Sequence, residues 1–258
     1  DRNLIGHAPE NATTLGVDTG AHAALRSQLE DRSFAGRAAL ADTLRSDLVK
    51  VQAFNPSHLS HAERTSLAVI RSAYKTSLDG LALPYGDVAV GGWRNTPYVV
   101  IQNVGAYLDT PKFLDADHQV KSAEDAEAYV ARLSQFDSQL DGELERMRAA
   151  TDQGLVPPDF LLDRAIAQME STLADARDGG GGMVSSLVSR TKAIPGDWEG
   201  RTKTIVAGEV VPALERQLAE LKRQRGLAKS DPGMGARPHG DEFYAWALRA
   251  HAGVALGK

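Results

Sequence analysis

Apolar residues recur along most of the chain at intervals of three and four, the repeat of an amphipathic helix. Between Thr19 and Glu30 the stripe is Ala21, Ala24, Leu25 and Leu29. Ser33 then stands where it can cap a helix carrying Leu40, Leu44, Leu48 and Val51, and the two segments are expected to pair antiparallel. After the break at Asn55-Pro56-Ser57, Ser60 and Glu63 have the spacing of a capping box, which predicts a helix running to about Gly80. Ser122 heads a first turn containing Glu124 and Asp125. Asp137 opens a further helix expected to end near Gly154, and Pro157-Pro158 introduces one bearing Phe160, Leu161, Ile166, Met169 and Leu173. The four glycines from Gly179 to Gly182 predict a flexible loop. From Trp198 to Arg225 the residues Ile205, Val206, Val210, Leu214, Leu218 and Leu221 predict one long helix that Pro212 should kink. Asp241 is expected to cap a last helix presenting Phe243, Tyr244, Trp246 and Leu248.

The period changes between Leu83 and Leu108. Val88, Val90, Tyr98, Val99, Val100 and Ile101 favour strand, interrupted by Gly91-Gly92 and Asn95-Thr96-Pro97. The expected fold is therefore mostly α: an elongated helical array with a small β-hairpin or edge sheet around residues 85–108. Residues 1–250 read as one helical domain and 251–258 as a divergent tail.

Composition narrows the classes of function. With 29 Lys and Arg against 34 Asp and Glu, interspersed for a net charge of −5, the chain lacks the basic footprint of a nucleic-acid binder. The absence of cysteine excludes disulfides, thiolate zinc sites and cysteine nucleophiles together. No run reaches the roughly 18 apolar residues of a membrane helix, and Asp1-Arg2-Asn3 does not begin a signal peptide.

Candidate chemistry is sparse. The densest ligand-like cluster is His58, His61 and Glu63, but a peptidase zinc helix needs His-Glu-x-x-His, with spacing of four placing both imidazoles on one face. Here the histidines are three apart and Glu63 already has a capping role. No phosphate-binding glycine loop and no Gly-x-Ser-x-Gly elbow occurs. The stretch from Gly91 to Asn103 joins strand formers to aromatic and amide side chains. Trp93, Asn95, Tyr98, Gln102 and Asn103 are thus candidate contacts for an extended peptide added along an edge strand. The plainer reading is a structural hairpin covering the helical core.

A family resemblance rests on Leu15-Gly16-Val17-Asp18-Thr19-Gly20, Leu83-Pro84-Tyr85-Gly86, Pro97-Tyr98-Val99-Val100, Gly105-Ala106-Tyr107, Ala123 to Ala131, Leu155 to Phe160 and Phe243 to Arg249. In these the chain resembles the bacterial proteins grouped as domain of unknown function 885, which are similar to helical, cleft-forming zinc peptidases. The resemblance implies a helical fold around a substrate cleft and a zinc site in the second half of the family's length. No cofactor is therefore expected in this chain, and zinc is expected only in full-length relatives. It also implies a periplasmic or cell-envelope location. Ala250 to Lys258 departs from the family pattern. An N-terminal fragment, a truncated gene product and a stand-alone relative all fit. The expected behaviour is peptide binding without turnover, with self-association through exposed apolar surface. The rival is a helical interaction module using the Trp198–Arg225 helix and an exposed Phe243, Tyr244 and Trp246.

Overall fold

The computed structural model describes residues 2–90 and 95–252. The helices in chain order are α1 (Arg2–Ile5), α2 (Pro9–Thr14), α3 (Phe34–Gln52), α4 (His61–Leu81), α5 (Ala106–Ala116), α6 (Ala123–Leu133), α7 (Phe136–Asp152), α8 (Asp159–Arg177), α9 (Gly181–Arg190), α10 (Trp198–Ile205), α11 (Val211–Leu227) and α12 (Gly240–Ala252).

Several boundaries are set by the caps that the sequence announces. Ser33 Oγ accepts the Gly36 amide. Ser60 and Glu63 form the reciprocal box, with Ser60 N–H donating to Glu63 Oε2 at 2.7 Å and Glu63 N–H to Ser60 Oγ at 3.3 Å. Ser122 and Asp125 do the same at α6. A further cap, beyond those expected from the sequence, is Asp197, whose carboxylate accepts the Gly200 amide at 2.9 Å at the start of α10.

The core lies beneath α8, whose most extensive partner is α11, with α7, α9 and α5 closing around it. Leu162, Met169, Leu187, Val210, Leu214 and Leu221 are fully buried there, and Tyr107 and Tyr129 seal its edge. Burying such a side chain is worth roughly 1.5–3 kcal/mol, so this layer dominates the stability. A smaller cluster joins Tyr85, Tyr98, Leu155, Phe243 and Trp246.

Five expectations change. The segment around 85–108 forms no strand among the described residues. It holds only the isolated antiparallel bridges Asp87–Thr96 and Ile101–Val104 and then enters α5. Pro97 removes a ladder donor, Asn103 adopts a positive φ of 61°, and consecutive Tyr98, Val99 and Val100 are all buried, which a pleated edge strand cannot achieve. The segment read as a helix from Thr19 is a 3-10 turn at Gly20–Ser27 packed on α2 and α6, so α3 pairs with α4 instead.

The Gly179–Gly182 stretch is a tight helix-to-helix turn. Gly180 and Gly181 have φ of 90° and 53°, a Cβ on Gly181 would lie 2.1 Å from Asp175 Oδ2, and that same oxygen accepts the Gly182 amide. Glycine serves there for close approach and handedness rather than for flexibility. The expected single helix from Trp198 to Arg225 is divided ahead of Pro212. Val206–Val210 widen into a π-helical turn, and Val211 N–H reaches back to the Val206 carbonyl, letting the chain pass Pro212 without an α-type donor. Finally, α12 starts at Gly240, so Asp241 sits in its first turn instead of capping it.

Val49 on α3, Phe54 just after it and Val69 on α4 are exposed.

Candidate functional site

A groove of about 1010 Å³ opens where the N-terminal segment, the start of α3, the loop after α4 and the faces of α5 and α7 converge. Its rim is apolar, with Ile5, Leu40, Leu81, Val88 and Val90, while its floor is charged. The floor is built around one close approach. A Cβ on Gly142 of α7 would fall 2.8 Å from the Ser33 amide, so this glycine lets α7 pass directly under the chain as it enters α3. Arg32 and Arg37 are thereby brought over Glu143 and Arg146.

Glu143 is 2% exposed. Its carboxylate accepts Arg32 Nη1 at 2.8 Å, the Ala106 amide at 2.9 and 3.1 Å, and Gln217 Nε2 at 3.1 Å. Arg32 also approaches Asp109 at 3.4 Å and Glu30 at 3.5 Å. Burial alone would lower the Arg32 pKa, and the Glu143 and Glu30 carboxylates more than reverse it, so this guanidinium stays charged. Arg146 donates to the Arg32 carbonyl at 3.1 Å, the Gly86 carbonyl at 2.9 Å and Asp87 Oδ1 at 2.6 Å. Arg37 donates to the same Gly86 carbonyl.

Glu30 lines the groove, and its backbone amide is held by the Glu10 carboxylate at 3.0 Å. Burial pushes its carboxyl up to about 7; Arg32 opposes the shift, and Glu10, Asp87 and Glu143 add to it. Its side chain remains 42% exposed to the groove, so the shift chiefly sets when the site gains a proton.

Behind the groove, Arg132 is completely buried and ties the N-terminal segment down. It donates to Thr13 Oγ1 at 2.7 Å, the Leu25 and Gln28 carbonyls at 3.0 Å and His118 Nδ1 at 2.7 Å. His118 passes its other ring nitrogen to the Asp125 carbonyl. Burial pushes this imidazole down to about 4, so it is neutral at physiological pH.

The residues proposed from sequence do not converge on this groove. Trp93 lies outside the described residues. Asn95 Oδ1 accepts the Ala89 amide, and Tyr98 is buried in the smaller cluster. Gln102 faces Arg164 at 3.5 Å, and Asn103 pairs with Gln168 at 2.8 Å. These contacts are intramolecular and brace the loop. His58 ends a 3-10 turn and His61 begins α4, both exposed, while Glu63 is committed to the Ser60 amide. That trio does not fit a metal ion, and among the described residues no group of three or more His, Cys, Asp or Glu is placed to hold one. No described helix is long and apolar enough to cross a membrane. Phe243 and Trp246 are buried against α4, with Trp246 Nε1 donating to the Thr76 carbonyl at 2.7 Å, so of the three aromatics on α12 only Tyr244 is exposed.

An all-helical body with an open groove, charged at its floor and apolar at its rim, is the class that fold and site define. The chain belongs to the family described as "Bacterial protein of unknown function (DUF885)", whose model matches residues 9–257. No curated protein matches it. Among solved structures it is similar to one titled "The crystal structure of the putative lipoprotein from Colwellia psychrerythraea", with a TM-score of 0.86 at 18% identity. The match covers 99% of this chain and 45% of the Colwellia chain, so the chain spans less than half the length of that neighbour.

Proposed function

We propose that this chain is the substrate-cleft portion of a zinc-peptidase-like protein, binding peptide in its groove and not cutting it alone. The observation that carries the reading is the groove itself: an apolar rim for side chains above a floor of fixed charges and backbone carbonyls. Its volume lies at the upper end of small-ligand sites, roughly 300–1,000 Å³, and suits an extended segment of several residues. The zinc-binding half of the enzyme is assigned to the length of relatives beyond this region, in keeping with the 45% coverage of the Colwellia protein. The lipoprotein description of that neighbour favours a cell-envelope location.

Asn95, Tyr98, Gln102 and Asn103 take the role of bracing the loop that ends in α5, through their contacts within the chain. The interaction-module reading has weaker support, because Phe243 and Trp246 are consumed within the fold. Self-association through exposed Val49, Phe54 and Val69 is a separate expectation, checked by sedimentation at several concentrations.

The test pairs elemental mass spectrometry of the purified chain with fluorescence-anisotropy binding and cleavage assays on labelled apolar peptides, with and without added zinc. Saturable binding without cleavage and without stoichiometric zinc is expected. Stoichiometric zinc with chelator-sensitive cleavage would contradict the reading.

A further inference from the structure

The groove floor matches its cations unevenly. Arg32 has Glu143 at 2.8 Å and Arg146 has Asp87 at 2.6 Å. The hydrogen bond of Arg37 goes instead to the Gly86 carbonyl, a neutral acceptor already engaged by Arg146. Two guanidinium groups therefore converge on one oxygen, with a single carboxylate, Asp87, bonded to one of them. Arg37 lies on the first turns of α3, lines the groove and is only half-buried, so its remaining donors are accessible from the groove.

We propose that Arg37, with Arg146 behind it, receives the C-terminal carboxylate of a bound peptide, whose last side chain rests on the apolar rim at Leu40, Leu81 and Val88. The assignment rests on the peptide reading above and specifies its substrate class: chains with a free C-terminus and an apolar final residue.

Four arguments support it. A guanidinium offers five N–H donors in a planar fork that matches a carboxylate bidentately, and Arg37 has one of them engaged. Its charge is undercompensated where it stands, since burial and the neighbouring Arg146 lower its pKa to about 10 against the weaker pull of Asp87. An incoming anion relieves both effects. The groove lining also carries Glu30, Asp31, Asp87 and Asp109, which a doubly charged phosphate meets with more repulsion than a singly charged carboxylate. Leu40, one turn along α3 from Arg37, and Leu81 line the same groove and give the terminal residue an apolar seat.

The experiment uses the whole chain and three probes. A labelled peptide ending in leucine is titrated as free acid and as C-terminal amide by fluorescence anisotropy. N-acetyl-leucine and inorganic phosphate are titrated separately while the Arg37 Nε–Hε resonance is followed by NMR, assigned by its loss in Arg37→Gln. The acid is expected to bind about tenfold or more tighter than the amide, the scale of one charge-assisted hydrogen-bonded pair. That preference should vanish in Arg37→Gln and return in part in Arg37→Lys, with N-acetyl-leucine shifting the Arg37 signal.

Equal binding of acid and amide overturns the assignment and leaves the peptide reading standing. N-acetyl-leucine shifting Arg37 while no peptide binds supports the carboxylate site and sinks the peptide reading. Silence of Arg37 toward every probe overturns the assignment, and a stronger response to phosphate than to N-acetyl-leucine does so in favour of a general anion site.

Discussion

The groove floor and the α8–α11 layer solve the same problem, holding helices together, by opposite means. Under α8, buried Leu162, Met169, Leu214 and Leu221 gain from area alone, and each can lose a methyl group without stranding a charge. At the groove, Arg32, Glu143, Arg146 and Arg132 are held by directional bonds to partners far away in sequence, 111 residues for Arg32 and Glu143. Ionised groups can be buried only where most of their bonds are made, because an uncompensated buried charge costs more than a lost methyl cluster, and even here Arg32 Nε and Arg146 Nε find no hydrogen-bond partner among the described residues. The layer is thus tolerant and the floor is brittle, which is also what fixes the floor's geometry for a ligand.

The sharpest way to break the comparison is Glu143→Ala, which leaves Arg32 with only its longer contacts to Asp109 and Glu30, takes the acceptor from the Ala106 amide and is expected to cost about 3–5 kcal/mol in urea unfolding. Leu162→Ala in the tolerant layer should cost about 2–5 kcal/mol by the same assay, and unlike Glu143→Ala it should leave peptide affinity in the groove unchanged.

The pH dependence separates two groups of opposite sign. His118 has a folded pKa near 4, below its unfolded value of 6.5, so the unfolded chain binds more protons between those values and stability falls as pH drops from 6.5 to 4. In His118→Gln, whose amide keeps a donor and an acceptor, that part of the slope should disappear, on the order of 1–3 kcal/mol across the window. Glu30 behaves conversely. Its folded pKa near 7 exceeds 4.5, so its contribution is present at low pH and is lost as pH rises through 7. Glu30→Gln should therefore steepen the rise of stability between pH 4.5 and 7, measured by urea midpoints at fixed ionic strength.

Smaller effects come from the surface. Ser60→Ala removes half of the α4 capping box and should cost about 1 kcal/mol in thermal or urea unfolding. Arg201→Ala, which breaks the exposed pair with Glu127 at 2.7 Å, should cost under about 1 kcal/mol and less in high salt.

The same contrast explains what the sequence disclosed. Local signals were legible: Ser33, Ser60 and Ser122 cap the helices they precede, and the stripes through Met169 and Leu214 face the core. The 85–108 region misled because β-branched residues record burial as well as strand, and a run of three consecutive buried residues mimics a core strand. Helix α5 was hidden by Gly105 before it and Pro111 within it. The groove was illegible for a different reason. Arg37, Glu143 and Arg146 sit in ordinary polar helix patterns, Arg32 lies in the irregular chain before α3, and nothing local says that Gly142 lets two distant segments touch. Along the chain Glu143 has the pattern of any acid on a solvated face, yet its carboxylate is buried and accepts from Arg32, the Ala106 amide and Gln217.

The central claim is that peptide occupies this groove, and hydrogen–deuterium exchange of the chain with and without a saturating leucine-terminated peptide tests it most directly. The account predicts slowed exchange in residues 28–37 and 87–90. Protection confined to the outer turns of α3 and α4 or to α12, or no protection at a concentration that saturates binding, would contradict it.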